Sequence, residues 1–486
     1  MMGRGARTSA VSHAARGARA ARRAVVACAF AAALALLAAS CATVPPPSGP
    51  PQPGGPEPQP GVPAPTPEPG VPAPGAPGAP QRLELDAEPE IDIGIAWDLD
   101  SVRVEPLVGT GVALQLEGEQ PKPLMRGNPG VVVVHRSGGG KAWAEVGGKQ
   151  TRWPLERGDT LWLASSPAEH SEHGRARWGN KTWRGTLKVF LNPRGKLTLA
   201  DRLPLETYLL GVVPGEIGAL SDVLFEAGRA QAVAARSYTL FYRGRRADEG
   251  FDLYGTVEDQ LYSPVESERP LATRCVQSTA GLVALADGWP IRANYCSTCG
   301  GITAEVWEGW PTAPLAYLTS HRDREREKSV DFCSTAPQYR WREEWTAREF
   351  ASNLALYGPN FGVKMPKGGV GEIVDVQVEE RSRSGRVWRL DVRTTNGDVV
   401  IPAYVLRQVL RRSGNGAAIL RSNLFKVGVR RDRLSGKTVS IVATGAGAGH
   451  GVGLCQTGAL GMARIGKTGE QILKYYYVGI DLERLY

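Results

Sequence analysis

The sequence predicts a mixed α+β fold, with antiparallel strands and helices around a segment centred on Glu216, preceded by a small β-rich domain. Three observations carry this expectation. Leu205, Tyr208, Leu209 and Val212 fall at i, i+3, i+4 and i+7, which makes one face of a short helix apolar, and Pro204 suits its first turn. Strand-like runs at 373–378 and 387–392 are followed by an Asn396-Gly397 turn into 399–401. Residues 88–182 hold alternating or β-branched runs at 91–95, 131–134 and 161–163, with turn signals at Gly138-Gly139-Gly140 and Gly147-Gly148.

The N-terminus sets the compartment. Six arginines and no acidic residue precede the apolar run 24–37, and Leu37-Ala38-Ala39-Ser40-Cys41 closes that run with small residues before a cysteine. This is the pattern of a bacterial lipoprotein signal over residues 1–40, with Cys41 as the lipidated thiol. The run is too short to span a bilayer, so the expected chain is exported and anchored without crossing. Ala42 stands where an inner-membrane retention signal carries Asp, which favours an outer membrane, facing the periplasm. Residues 41–87 form a Pro-rich tether whose composition cannot bury a core. At about 3.1 Å per residue it reaches on the order of 100 Å from the anchor.

Charge follows from the same division. The formal net charge of +9 falls to +3 without the six signal arginines, and it stands at +5 for residues 81–486 because Glu57 and Glu68 leave with the tether. That mild basicity suits a weakly anionic substrate or a membrane surface. It does not call for nucleic acid, since no basic stripe with interleaved aromatics is present.

Residues 183–486 are expected to form the main body. Strands at 186–191 and 196–200 flank Asn192-Pro193-Arg194-Gly195 and read as a hairpin leading into the Glu216 helix. Pro214-Gly215 is expected to end that helix. A carboxylate at such a break, between Val213 and Ile217, is partly desolvated, and its raised pKa makes it usable as a proton donor near neutral pH. Ser221 is placed to cap the next helix, with Val223, Ala227, Ala230, Ala234, Tyr238 and Phe241 as its buried stripe. Glu226, Arg229, Arg236 and Arg243 share a second, polar stripe, in which Glu226 and Arg243 read as solvated.

The runs LPLETYLLGVVPGEIG (203–218), RAQAVAARSYTL (229–240), YCSTCGG (295–301), GHGVGLCQTGALGMA (449–463) and ILKYYYVGIDL (472–482), in this order, resemble the stage II sporulation protein D (SpoIID/LytB) family. The resemblance implies that Glu216 is the catalytic acid of a lytic transglycosylase acting on peptidoglycan glycan strands, with peptide-stripped glycan as substrate. It makes Arg236 a candidate for orienting the acid or a sugar. In the Gly-rich run 445–453, where glycines permit close approach to a ligand, His450 becomes a candidate for binding glycan, as does Gln456. The alternative is a non-catalytic glycan-binding protein that enhances a cell-wall amidase, since relatives of this family carry that name.

Five cysteines remain in the exported body: Cys275, Cys296, Cys299, Cys333 and Cys455. An oxidising compartment makes disulfides the preferred expectation, most simply Cys299 with Cys333, and an odd count leaves one thiol over. Cys296-x-x-Cys299 also has zinc-ligand spacing, and the resemblance implies zinc near this segment in some members, so a site using Cys296, Cys299 and Cys333 stands as the alternative. Cys455 reads as a small buried thiol. The proposed chemistry requires no cofactor. Residues 461–468 fit the phosphate-loop pattern, but they read as the end of a helix over 456–465, stopped by Gly466 and followed by a capping box of Thr468 and Gln471, so nucleotide binding is not expected.

Overall fold

The computed structural model describes residues 82–107, 111–125, 130–148, 151–164, 175–327 and 329–486. The signal, Cys41 and the tether up to residue 81 lie outside the described residues. Among those described, no single helix is long and apolar enough to cross a membrane.

The fold is α+β, with seven α-helices and largely antiparallel sheets among the described residues. A seven-stranded sheet runs in the order Leu253–Tyr254, Glu90–Leu99, Leu197–Pro204, Thr186–Leu191, Thr160–Ala164, Gly111–Gln115 and Lys122–Met125. A six-stranded sheet runs Lys181–Arg184, Arg175–Trp178, Ser101–Pro106, Val132–Gly138, Lys141–Val146 and Arg152–Leu155. Period-two alternation turns Ile91 and Ile93, Val102 and Val104, and Val132 and Val134 inward, and both sheets feed one continuous apolar core.

The expected boundary near residue 182 is not where the sheets divide. The hairpin of 186–191 and 197–204 forms, but Thr186–Leu191 also pairs with Thr160–Ala164, and Leu197–Pro204 pairs with Glu90–Leu99, with Ile91 opposite Leu203. A two-stranded hairpin leaves two open edges, and here strands of the β-rich region cover both.

Helix α1 (Leu205–Ile217) follows directly from the last of these strands, and its Leu205 N–H bonds to the Pro89 carbonyl at 3.0 Å. Pro214 and Gly215 lie inside it, so the helix does not stop before Glu216 as expected. A proline near the end of a helix removes one backbone bond, and the complete burial of Leu205, Tyr208, Leu209, Val212 and Val213 outweighs that loss. The loop 255–263 packs hard against α1. A Cβ at Gly211 would lie 2.5 Å from the Ser263 carbonyl oxygen.

Helix α2 (Phe225–Tyr242) is entered through a single 3-10 turn, Asp222–Leu224, and Ser221 makes no side-chain cap. Val223, expected in the buried stripe, sits on that turn and is 64% exposed, because the helix proper begins two residues later. Ala227, Ala230 and Ala234 are buried as expected, and Phe241 is half-buried. Helix α3 (Pro270–Ser278) precedes the strand Leu282–Ala286, which pairs with the C-terminal strand Asp481–Arg484. Residues 297–340 carry little regular structure beyond the 3-10 turn Val306–Glu308 and isolated bridges at Thr298, Ile302 and Ala304.

The stretch 183–486 is not one body. Residues 342–380 and 387–444 form a compact unit of their own, and the rest of the described chain forms the other. The smaller unit holds α4 (Ala347–Tyr357), the expected strands as Ile373–Arg381, Val387–Thr394 and Gly397–Pro402, and α5 (Ala403–Val409). The larger unit resumes at 445 with α6 (Gln456–Arg464) and α7 (Gly469–Tyr476). Thr468 and Gln471 form the expected capping box, so the phosphate-loop-like run joins two helices and does not follow a strand.

Candidate functional site

Glu216 lies in the last turn of α1, and the tight packing of loop 255–263 on that helix brings a backbone amide to it. The Leu261 N–H donates to Glu216 Oε1 at 2.8 Å, and Gln456 Nε2, at the first residue of α6, donates to Oε2 at 3.3 Å. The residue keeps partial exposure while its carboxyl is enclosed, and this burial raises its pKa above the ordinary glutamate value, opposed by the Leu261 amide, Gln456 and Tyr295. The hydrogen-bond partners that oppose this shift, a backbone N–H, an amide side chain and a phenol, are all neutral. Proton donation is therefore the chemistry that this group is prepared for.

A buried polar network backs it. Gln456 Nε2 lies 3.5 Å from Gln231 Oε1 on α2. Tyr295 donates its hydroxyl to Gln260 Oε1 at 2.9 Å, and Gln260 in turn donates to Thr239 Oγ1 at 2.7 Å. Tyr295 and Gln231 sit within sequence blocks already singled out, although neither was chosen as a site residue. Leu261 contributes only a backbone amide, so no side-chain pattern marks it.

Of the four expected site residues, the structure joins Glu216 and Gln456. Arg236 is a correction: it is fully buried, with Nε and Nη2 on the Glu206 carboxylate at 2.7 and 2.6 Å and Nη1 on the Leu282 carbonyl at 3.0 Å. Glu206 also accepts from the Gly281 N–H and the Tyr486 hydroxyl. Arg236 thus ties α1, α2 and the C-terminus together and has no donor pair to offer a sugar. Glu226, expected to be solvated, accepts the Gly469 N–H at 2.6 Å and pins the start of α7.

His450 packs at 4.7 Å on the Trp310 ring, and its Nδ1 accepts the Val452 N–H at 3.0 Å. The Arg292 guanidinium lies 4.9 Å over the same Trp310 ring. The space beside the glycines around His450 is taken up by the protein itself, while His450 stays partly exposed. A Cβ at Gly447 would meet the Thr298 carbonyl at 2.6 Å, and one at Gly453 the Asn294 carbonyl at 2.0 Å.

The cysteines correct the disulfide expectation. All five are buried and unbridged, and Cys299 Sγ stands 3.7 Å from Cys333 Sγ, well beyond the roughly 2.05 Å of a bonded pair. The ligand atoms of Cys299, Asp323, Cys333 and Cys455 all lie within 4.8 Å of one another. Cys296 falls outside this set, although it pairs in register with Cys455. Cys455, expected to be only a small buried thiol, is thus one member of a four-residue cluster.

A family model described as "Stage II sporulation protein" matches residues 193–285, and a domain of unknown function matches residues 325–453. The stage II sporulation protein D of Bacillus subtilis is 29% identical over 298 residues, which is 58% of this chain and 75% of that protein. An uncharacterized protein of Brachyspira hyodysenteriae is 27% identical over 302 residues, 60% of this chain and 70% of its own. An amidase enhancer of Bacillus subtilis is 26% identical over 311 residues, 56% of this chain and 40% of that protein.

Proposed function

We propose, for a chain that carries a stage II sporulation protein D domain, that it cleaves peptidoglycan glycan strands as a lytic transglycosylase on peptide-stripped glycan. The observation that carries this reading is the enclosed Glu216 carboxyl, raised in pKa by burial and held by one amide and one glutamine. Protonated Glu216 gives its proton to the oxygen leaving the anomeric carbon of N-acetylmuramic acid. The resulting carboxylate then takes the proton of the sugar's own 6-hydroxyl as that oxygen bonds to the anomeric carbon and closes a 1,6-anhydro ring. No water enters, so a second carboxylate of the kind that hydrolases use is not needed.

Export and lipid anchoring through Cys41, with the body facing the cell wall, belong to the same proposal. The name of the amidase enhancer relative favours a second reading, in which the site binds glycan and speeds an amidase. Digestion of peptide-free glycan by the purified protein, read by mass spectrometry, separates the two. Anhydro-muramic termini without added amidase support cleavage. Reducing ends would require a second carboxylate, and no cleavage with a faster amidase would replace the enzyme by the enhancer.

A further inference from the structure

Asp201 is a buried carboxyl that the chemistry at Glu216 does not use. It lies on the strand Leu197–Pro204, which runs directly into α1, and its side chain is completely buried. Oδ2 accepts the Tyr262 hydroxyl at 2.9 Å, while Oδ1 has no hydrogen-bond partner among the described residues. Burial pushes the Asp201 pKa well above the ordinary carboxylate range, against the Tyr262 hydrogen bond and with the Asp92 charge adding to the rise. A buried carboxyl satisfied on one oxygen costs free energy, so stability does not account for it.

Tyr262 is where this carboxyl reaches the site. It directly follows Leu261, whose N–H holds Glu216 Oε1. Its buried ring lies 5.3 Å from that of Trp183 and 5.2 Å from that of Tyr208, and a Cβ at Gly211 of α1 would come within 2.7 Å of its edge. Ring contacts of this kind tolerate sliding. The hydroxyl bond to Asp201 does not, because hydrogen bonds are directional and short-ranged. Gly185 makes room for it: its φ is +78°, and a Cβ there would lie 2.7 Å from Asp201 Oδ1.

We propose that Asp201 and Tyr262 form a buried strut that fixes loop 255–263 against α1 and so holds the Leu261 amide on the Glu216 carboxyl. Asp201 is thus a positioning residue, acting through Tyr262 and the backbone beside it. The strut bears on the chemistry because, of the contacts that oppose the burial of Glu216, the Leu261 amide is the strongest. The ionisable groups beside the carboxyl, Tyr208 and Tyr295, are phenols whose own pKa values burial drives well up, so a departure of the amide registers in Glu216 itself. The importance of the strut for cleavage rests on Glu216 being the proton donor, but the strut can be tested with no glycan present.

Tyr262→Phe removes the hydroxyl and keeps the ring. In the exported chain labelled with carbon-13 at glutamate carboxyls and nitrogen-15 at leucine amides, Glu216 of this variant should titrate as an acid about tenfold weaker than in wild type, and the Leu261 N–H signal should stop following that titration. Asp201→Leu should do the same, and the double variant should add nothing further. Asp201→Asn, an uncharged acceptor of the same shape, should keep both signals as in wild type. In a cleavage assay the basic limb of the rate profile should move up with the Glu216 pKa in Tyr262→Phe, with KM for glycan unchanged. A folded Tyr262→Phe protein with a wild-type Glu216 titration and a Leu261 amide still coupled to it would overturn the strut, and so would loss of that coupling in Asp201→Asn. If Asp201→Leu does not fold, the contrast between Tyr262→Phe and Asp201→Asn decides the matter. A wild-type chain that cuts no glycan would count against Glu216 as proton donor, while the two nuclear magnetic resonance signals would still decide the strut.

Discussion

Replacing Arg236 by methionine tests whether this residue holds the fold or touches substrate. The wild-type side chain makes two charge-assisted bonds to Glu206 and one to the Leu282 carbonyl, with no exposure of its own. Removing one partner of a buried pair costs about 3–5 kcal/mol, chiefly because the other charge is left uncompensated. Glu206 keeps the Gly281 N–H, the Tyr486 hydroxyl and 19% side-chain exposure, so the lower end applies, about 3 kcal/mol, or on the order of a hundredfold in the folded-to-unfolded ratio. Burial pushes the Glu206 pKa up, but the Arg236 hydrogen bonds and charge, with help from Tyr486 and Gly281, bring it below the ordinary value. A depressed carboxyl pKa contributes stability that is present above the ordinary glutamate range and lost as pH falls through the folded value. The loss in the variant should therefore be full at pH 7 and shrink in acid. Urea denaturation followed by tryptophan fluorescence measures it, and the double variant with Glu206→Gln should recover much of the loss. A folded Arg236→Met protein of unchanged stability but raised KM for glycan would refute the structural role.

Glu216→Gln should leave the fold intact and change its pH dependence. Because burial raises the Glu216 pKa, stability from the protonated carboxyl is present below the ordinary glutamate range and lost as pH rises through the folded value. The variant should match wild type in acid and exceed it above that range, by about 1.4 kcal/mol per tenfold weakening of acidity, and equal Tm curves at every pH would contradict this. Gly211→Ala places a methyl 2.5 Å from the Ser263 carbonyl, and a cost of about 1–3 kcal/mol is expected from the forced shift of loop 255–263, with activity falling as the Leu261 amide leaves Glu216. A Tm within a degree of wild type would show that the loop yields freely. Thr468→Ala should cost about 1 kcal/mol through its lost cap, and ATP should leave the Tm of both proteins unchanged. A nucleotide-induced rise would restore the phosphate-loop reading.

How far this chain could be read in advance depends on which interactions are local. The capping box at Thr468 and the strands flanking Asn396-Gly397 involve neighbours in sequence, and both appear as expected. Pro214-Gly215 misled because local propensity marks a stop, whereas the burial of five α1 residues against distant segments carries the helix on to Glu216. Arg236 misled for the same reason. Its helical stripe was legible, but its partner Glu206 lies 30 residues upstream on another helix. The hairpin at 186–204 showed its own register but not that strands of the β-rich region would take its edges. Asp323 carried no signal at all, since a lone aspartate in an irregular segment becomes a candidate ligand only when folding brings three sulfurs to it.

The central claim is that the Glu216 proton drives a cut that ends in an anhydro ring. The most direct measurement is the rate at which wild type and Glu216→Gln release 1,6-anhydro-muramic termini from peptide-free glycan, with glycan binding measured in parallel. The account predicts anhydro termini from wild type, at least about a hundredfold fewer from the variant, and similar binding by both. Equal release by the two proteins would contradict it.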